Sequence, residues 1–396
     1  MAKKHDVVLV PEKAYTATWT SECLVDPFAM SVEEQVSLLL KADGELRKNP
    51  GVTLSETSMV FSRTHQVFAS SIGSVIEQNR TWCGAGMTAL CFKNDEIQKR
   101  SYPNSFGGQY QLRGYELISE IDLMANCGRV AEEAVALHSA DQCPEGEFDL
   151  ILESSQLALQ IHESIGHPIE LDRVLGSEAN YAGMSFLTLD QLNNLRYGSD
   201  IVNVVCDGRP EHGPGLGTFA FDDEGVPAQS VDIIRDGQFR GYMTSRETAA
   251  TVGQDHSNGT MRADGWSRIP LIRMTNVSLE PGKQSLEEVF DVEHGIYMET
   301  NKSWSIDDKR YNFQFGCEVG WEIKNGKRGR MLKNPTYSGI STEFWNACDA
   351  IAGREHWTLW GVPNCGKGQP EQVMGTGHGA SPSRFKKIKV GAGYAG

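Results

Sequence analysis

The sequence predicts an α+β fold: an N-terminal α/β portion of helix plus β-meander, followed by a larger β-rich C-terminal domain. Three observations carry this. Helical spacing of apolar residues is confined to a few short windows. Period-two alternation bounded by Gly, Asn and Asp dominates the rest. Pro144-Glu-Gly-Glu147 then punctuates the chain strongly enough to divide it into 1–144 and 145–396.

Residues 11–29 are aromatic and irregular, suited to a linker or wrapping arm. Val32 to Lys48 is expected to be an amphipathic helix, with Ser31 as N-cap, Glu33 and Glu34 in its first turn, and Val36, Leu39 and Leu40 facing inward. Between Ser55 and Lys93 the runs at Met59, Val67, Ser74 and Met87 read as a four-strand meander with a turn at Ser71-Ile-Gly73. Gly107-Gly108 opens a loop, and a second helix is expected around Leu123 to Leu137.

In the second part, Phe148 to Glu153 reads as a strand and Ser154-Ser155 as the N-cap of a helix carrying Leu157, Ile161 and Ile165. Strands are expected around Val202, over Ser230 to Ile234, Arg240 to Met243, Tyr297 to Thr300, Asn312 to Gly320 and Val319 to Lys324. Asp236-Gly237 and Asn325-Gly326 are hairpin turns. A last helix is expected over Thr342 to Ile351, and the Gly-rich tail from Gly361 has no evident element of its own.

Composition narrows the function. With 39% hydrophobic and 22% charged residues the chain is globular, and 396 residues suffice for two or three cored domains. A formal net charge of -15 supplies no basic surplus for nucleic acid or an anionic membrane. Only Val7 to Val10 follow the charged N-terminus, too short a run for a signal peptide or span. Nine cysteines form an odd set without framework spacing, which suits reduced thiols and a cytoplasmic location.

The chemistry concentrates at His162-Glu-Ser-Ile-Gly-His167, two imidazoles bracketing a carboxylate. Imidazole nitrogens suit zinc, and Glu163 beside the first is placed as a general base. The common His-Glu-x-x-His motif sets its two His at i and i+4. A spacing of i and i+5 turns the second ring about 140° from the first on an ideal helix and moves it roughly 7.5 Å along the axis. One remedy is a helix ending at the site, with Gly166 left-handed and Pro168 turning His167 out of the helix. The alternative is a π-type widening between the two His. The expectation favours the helix end, since Pro168 has no N–H to donate.

A catalytic zinc needs a third protein ligand. Glu170 and Asp172 are candidates, as ligands or as acceptors orienting the imidazoles. Cys365, in Pro363-Asn-Cys-Gly-Lys-Gly-Gln-Pro370, is another, with flanking glycines and with Lys367 placed to favour its thiolate. Cys317 is its rival, though a strand pattern there suits an inert buried thiol, and the other cysteines suit small buried apolar residues. His378 is a candidate for lining a substrate groove.

Several blocks together resemble the TldD/PmbA family, peptidases also labelled modulators of DNA gyrase. They are Leu159 to Asp172 with its His-Glu-Ser-Ile-Gly-His core, Phe221-Asp-Asp-Glu-Gly-Val-Pro-Ala228, Ser245-Arg-Glu-Thr-Ala-Ala250, Arg273-Met-Thr-Asn276, Cys365-Gly-Lys-Gly-Gln-Pro370 and Gly377-His-Gly-Ala380. The resemblance implies zinc (Zn2+) held by His162, His167 and Cys365, with Glu163 as general base. It also implies flexible or unfolded peptide as substrate, and a dimer with itself or with a TldE/PmbA-like subunit. Because the metal motif is intact, the chain resembles a TldD-type active subunit, one lacking most of the family's usual N-terminal domain. Two other readings remain: a catalytically silent scaffold that helps a partner peptidase enclose peptide, and a Cys365 nucleophile paired with a His.

Overall fold

The computed structural model describes residues 8–391. Residues 1–7, on which part of the reading of the N-terminus rests, lie outside them, as do 392–396. The first sheet holds β1 (Thr16–Thr20), β2 (Leu54–Ala69), β3 (Val75–Lys93), β4 (Glu96–Tyr102) and β5 (Gln109–Gln111). The expected meander is in fact one long hairpin. β2 and β3 pair in unbroken register from Ala69↔Val75 to Leu54↔Leu90, so the runs at Met59 and Val67 share one strand. Part of the expected irregular arm is also a strand, because β1 pairs in parallel with β3.

Helix α1 (Val32–Leu46) begins as expected, with Ser31 and Glu34 forming a reciprocal capping box. Its inward face differs. Ala42 and Leu46 are buried, whereas Val36 and Leu40 are exposed. Helix α2 (Glu116–Ile121) was not foreseen, and α3 (Leu123–Ala136) completes the layer over the sheet.

Beyond β6 (Asp141–Gln142) the β-rich part opens with β7 (Gly146–Leu152) and α4 (Ser154–Ile161). Glu153, rather than the expected serines, is the N-cap, accepting from the Ser155 N–H. One sheet of this part contains a closed ring. β7 pairs with β14 (His294–Ile306), β14 with β15 (Asn312–Lys324), β15 with β17 (Thr336–Ile340), β17 with β21 (Ser383–Val390), and β21 returns to β7. The two runs expected over Asn312 to Lys324 are one strand, extended outward by β16 (Lys327–Lys333).

The other sheet runs β10 (Gln238–Phe239), β9 (Ser230–Arg235), β8 (Val204–Asp207), β13 (Asn276–Leu279), β20 (Gln372–Ala380), β19 (Thr358–Lys367). A small hairpin of β11 (Met261–Arg262) and β12 (Leu271–Ile272) stands apart. α4 packs between the two sheets, against β13, β14 and β20, over a shared apolar core.

Three expectations fail here. Arg240 to Met243 is no strand beyond an isolated bridge from Met243 to Glu170. The last helix, α5 (Ser341–Asn346), is short, and the second half of the expected span becomes β18 (Cys348–Ile351) on β21. The tail from Gly361 is not structureless, since β19, β20 and β21 occupy most of it. Glycine supplies little periodic apolar signal, and pairing partners far back in the chain stabilise these strands instead.

Charge joins the two parts. The Arg100 guanidinium, on β4, reaches Glu133 of α3 and crosses to Glu299 of β14 and Glu318 of β15. Nearer the site, Gln109 and Gln111 of β5 both donate to the Leu359 carbonyl of β19.

Candidate metal centre

Helix α4 does not stop at the motif. It widens through a π turn over His162–Gly166, and the His167 N–H donates to the His162 carbonyl at 3.1 Å. His167 keeps right-handed helical angles (φ -65, ψ -42), and Gly166 is not among the positive-φ residues. The helix-end expectation is therefore wrong, and the widened turn is the remedy for the i, i+5 spacing. Pro168 does not interfere because the π turn ends at Gly166 with His167 as its C-cap, leaving Pro168 outside the helix.

A π turn displaces main-chain groups from ordinary partners, and side chains take them up here. Tyr197 Oη donates to the Ser164 carbonyl, and Ser164 Oγ to the Gln160 carbonyl at 2.6 Å. Trp345 Nε1 holds the same Ser164 Oγ at 2.9 Å. Gly166 serves by close approach rather than by backbone freedom. A Cβ there would lie 2.1 Å from Met274 Sδ.

The widened turn brings the His162 and His167 rings to 4.8 Å between centroids, at an interplanar angle of 90°. Cys365, near the end of β19, lies with its Sγ 3.8 Å from His167 Nε2. Ligand atoms of His162, His167 and Cys365 all fall within 4.8 Å of one another, and all three residues are buried. Tetrahedral zinc with ordinary bond lengths would separate a nitrogen and a sulfur ligand by about 3.6 Å. The spacing therefore fits such an ion.

Proton positions follow from the neighbours. The Val277 carbonyl can only accept, so His378 Nδ1, 3.0 Å away, carries a proton. His378 Nε2 then accepts from Thr376 Oγ1 at 3.1 Å and from His162 Nδ1 at 2.8 Å. This leaves the His162 Nε2 lone pair free. His167 Nδ1 likewise donates to Glu170 Oε2 at 3.1 Å, freeing its own Nε2.

Burial holds both imidazoles below their ordinary pKa, His167 well below, with the Arg310 charge adding to the effect. Burial opposes ionisation of Cys365, but His167 and the Arg273 guanidinium outweigh it and hold the thiol below its usual value. Neutral imidazoles and a thiolate are the forms that bind zinc.

The remaining candidates fall into distinct places. Glu170 is fully buried and orients His167 rather than joining the cluster. Asp172 meets neither imidazole and accepts from Lys367 Nζ at 2.7 Å. Lys367 is thus engaged by Asp172, Glu170 and Glu178 rather than directed at the thiolate as expected. His378 lines no open groove, being fully buried against His162. Cys317 is buried in β15, its thiol pushed well above the ordinary value by burial. Glu163 is nearly buried and receives a 2.6 Å ion pair from Arg310 Nη1. Sequence reading missed Arg310, Arg273 and Thr376. The first sits in a turn without a motif, Arg273 acts on Cys365 from far back in the chain, and Thr376, two residues from its partner His378, carries no motif of its own.

Two imidazoles and a cysteine thiol, buried beside a carboxylate and with ligand atoms within 4.8 Å of one another, form a candidate metal site. The PmbA/TldA metallopeptidase C-terminal domain matches residues 145–392, and the central domain of the same family matches 25–140. The chain belongs to this PmbA/TldD family. It is 29% identical over 379 residues to a metalloprotease of Methanocaldococcus jannaschii, covering 95% of this chain and 78% of that one. A zinc metalloprotease TldD homolog of Saccharolobus solfataricus is 31% identical over 251 residues, 63% of this chain and 52% of the relative. Among solved structures, a protein described as a modulator of DNA gyrase from Thermotoga maritima shares the fold with a TM-score of 0.74 at 17% identity, over 98% of this chain and 81% of its own. TldE from Thermococcus kodakarensis does so with a TM-score of 0.65 at 17% identity, over 90% and 74%. Among the described residues no helix is long and apolar enough to cross a membrane.

Proposed function

We propose that this chain is a zinc-dependent peptidase that hydrolyses flexible or unfolded peptides. The observation that carries the reading is the convergence of His162, His167 and Cys365 within 4.8 Å around a buried point. These three residues would hold the ion, which when bound polarises the scissile carbonyl and activates water. Glu163 takes the proton of the attacking water and later delivers it to the leaving amine. His378 and Glu170 keep the two imidazoles in the tautomers that leave Nε2 free. Enclosure of the peptide by a second subunit, either another copy or a TldE-like chain, belongs to the same proposal.

The test is Glu163→Gln in zinc-loaded protein, assayed on unstructured fluorogenic peptides. The amide keeps size and polarity but accepts no proton, so zinc content should hold while cleavage falls about 10²–10⁴-fold. Cleavage at the parent rate would refute Glu163 as the base. Cleavage that survives complete metal removal would favour a Cys365 nucleophile.

A further inference from the structure

Arg310 closes the turn between β14 and β15, its N–H donating to the Asp307 carbonyl at 2.8 Å. It does so at φ 63, in the left-handed region, where Gly or Asn is the inexpensive choice and other residues store strain. The turn is held firmly. The Asp307 carboxylate accepts from the Tyr311 N–H at 2.8 Å and the Asn312 amide at 2.6 Å. Ser341 Oγ donates to the Arg310 carbonyl at 3.0 Å.

This strained backbone projects a guanidinium into the site. Its side chain is 16% exposed, Nη1 holds Glu163 Oε2 at 2.6 Å, and Nε is buried without a hydrogen-bond partner among the described residues. A buried unpaired donor is costly. A positive charge near both imidazoles also works against binding of a metal cation. Neither feature helps assemble the metal centre, so both suit a negative charge that arises only during turnover.

We propose that Arg310 is a catalytic residue of the peptidase reading, stabilising the oxyanion that forms on the scissile carbonyl. In the resting site its charge is balanced by the Glu163 carboxylate. As the water oxygen bonds to the carbonyl carbon, the π electron pair moves onto the carbonyl oxygen and the water proton moves to Glu163. The carboxyl group is then neutral, its hold on the guanidinium weakens, and the same positive charge faces the new oxyanion. When the C–N bond breaks, the carbonyl reforms, the amine takes the proton from Glu163, and the ion pair is restored. One negative charge moves between two sites around a fixed cation, so the site's total charge stays constant.

The inference rests on the peptidase reading and is tested on zinc-loaded parent, Arg310→Met and Arg310→Lys. Each is assayed for zinc content, for kcat and KM on an unstructured fluorogenic peptide, and for binding of two uncleaved peptide analogues. A phosphinic peptide carries an anionic oxygen where the oxyanion would form, and a reduced-amide peptide carries none. Arg310→Met should keep its zinc and its KM within about threefold while kcat falls about 10²–10³-fold. The phosphinic peptide should bind about 10²-fold more weakly and the reduced-amide peptide almost unchanged. Arg310→Lys should recover part of both losses, a result that separates missing charge from a misfolded turn. Loss of zinc in both variants, a raised KM at parental kcat, or parental kcat in Arg310→Met would each overturn the inference. If zinc-loaded parent neither cleaves the peptide nor binds the phosphinate, the peptidase reading itself fails first.

Discussion

Helix α1 and the α4–π segment are both helical, yet they are held in opposite ways. Of the fifteen residues in α1 only Ala42 and Leu46 are buried, and a capping box fixes its start. Every residue from Ser154 to Gly166 is buried, and the main chain there takes side-chain hydrogen bonds from Tyr197, at the Ser164 carbonyl, and from Ser164, at the Gln160 carbonyl. The first helix is specified by neighbours in sequence, the second by neighbours in space. A π turn gives up regular main-chain bonding, so it survives only where its surroundings replace what was lost. That is also where it is useful, because the widening aligns two histidines five residues apart.

The comparison can be broken at several points, beginning with the largest effect. Cys365→Ala should abolish tight zinc binding, lowering metal from about one ion per chain to near zero by elemental analysis after purification. Retention of zinc with parental affinity would remove Cys365 from the ligand set and bring Glu170 back as a candidate.

His378→Ala removes the acceptor that fixes the His162 tautomer without touching the cluster itself. Zinc affinity, measured by competition with a chelator, should weaken about 10–100-fold while the far-ultraviolet spectrum stays parental. An unchanged affinity would mean that burial alone orients His162.

Gly166→Ala would be neutral or stabilising if the turn were an ordinary exposed helix. In this packing the added methyl meets Met274 Sδ, and overpacking of this kind should destabilise by about 1–3 kcal/mol in chemical denaturation. Adding Met274→Ala should restore part of that loss. A double variant no better than Gly166→Ala would locate the strain elsewhere.

Ser31→Ala, in α1, should cost only about 1 kcal/mol and leave zinc content untouched, since it removes one local cap far from the site. A larger loss would show that α1 is more tightly coupled to the rest of the fold than its exposure implies.

The difference between the two helices also explains what could be read in advance. The α1 start at Ser31, the Asp236-Gly237 and Asn325-Gly326 turns and the span of α3 were legible because each is decided within a few residues. The metal-ligating residue types and the Glu beside His162 were legible as chemistry. The hairpin of β2 and β3 was not, because a polar interruption such as Ser62 to Gln66 looks like a turn until sixteen paired residues override it. β18 to β21 were missed for a related reason. Their strand character comes from partners such as β7, β13 and β17.

By itself, then, the sequence determined the α+β class and a candidate histidine–carboxylate motif, with Cys365 one of several candidate third donors until the family resemblance singled it out. It did so because residue chemistry and local periodicity survive without a fold. Tertiary structure decided the π turn over the helix end, the role of His378 inside the protein rather than on a groove, and the arrival of Arg310 at Glu163. Each of these is a contact between elements from 33 to 216 residues apart, made by Tyr197 with Ser164, Arg310 with Glu163 and His378 with His162. Periodicity carries no information about such contacts, because packing and hydrogen-bond satisfaction are settled only when the sheets and helix close around one another.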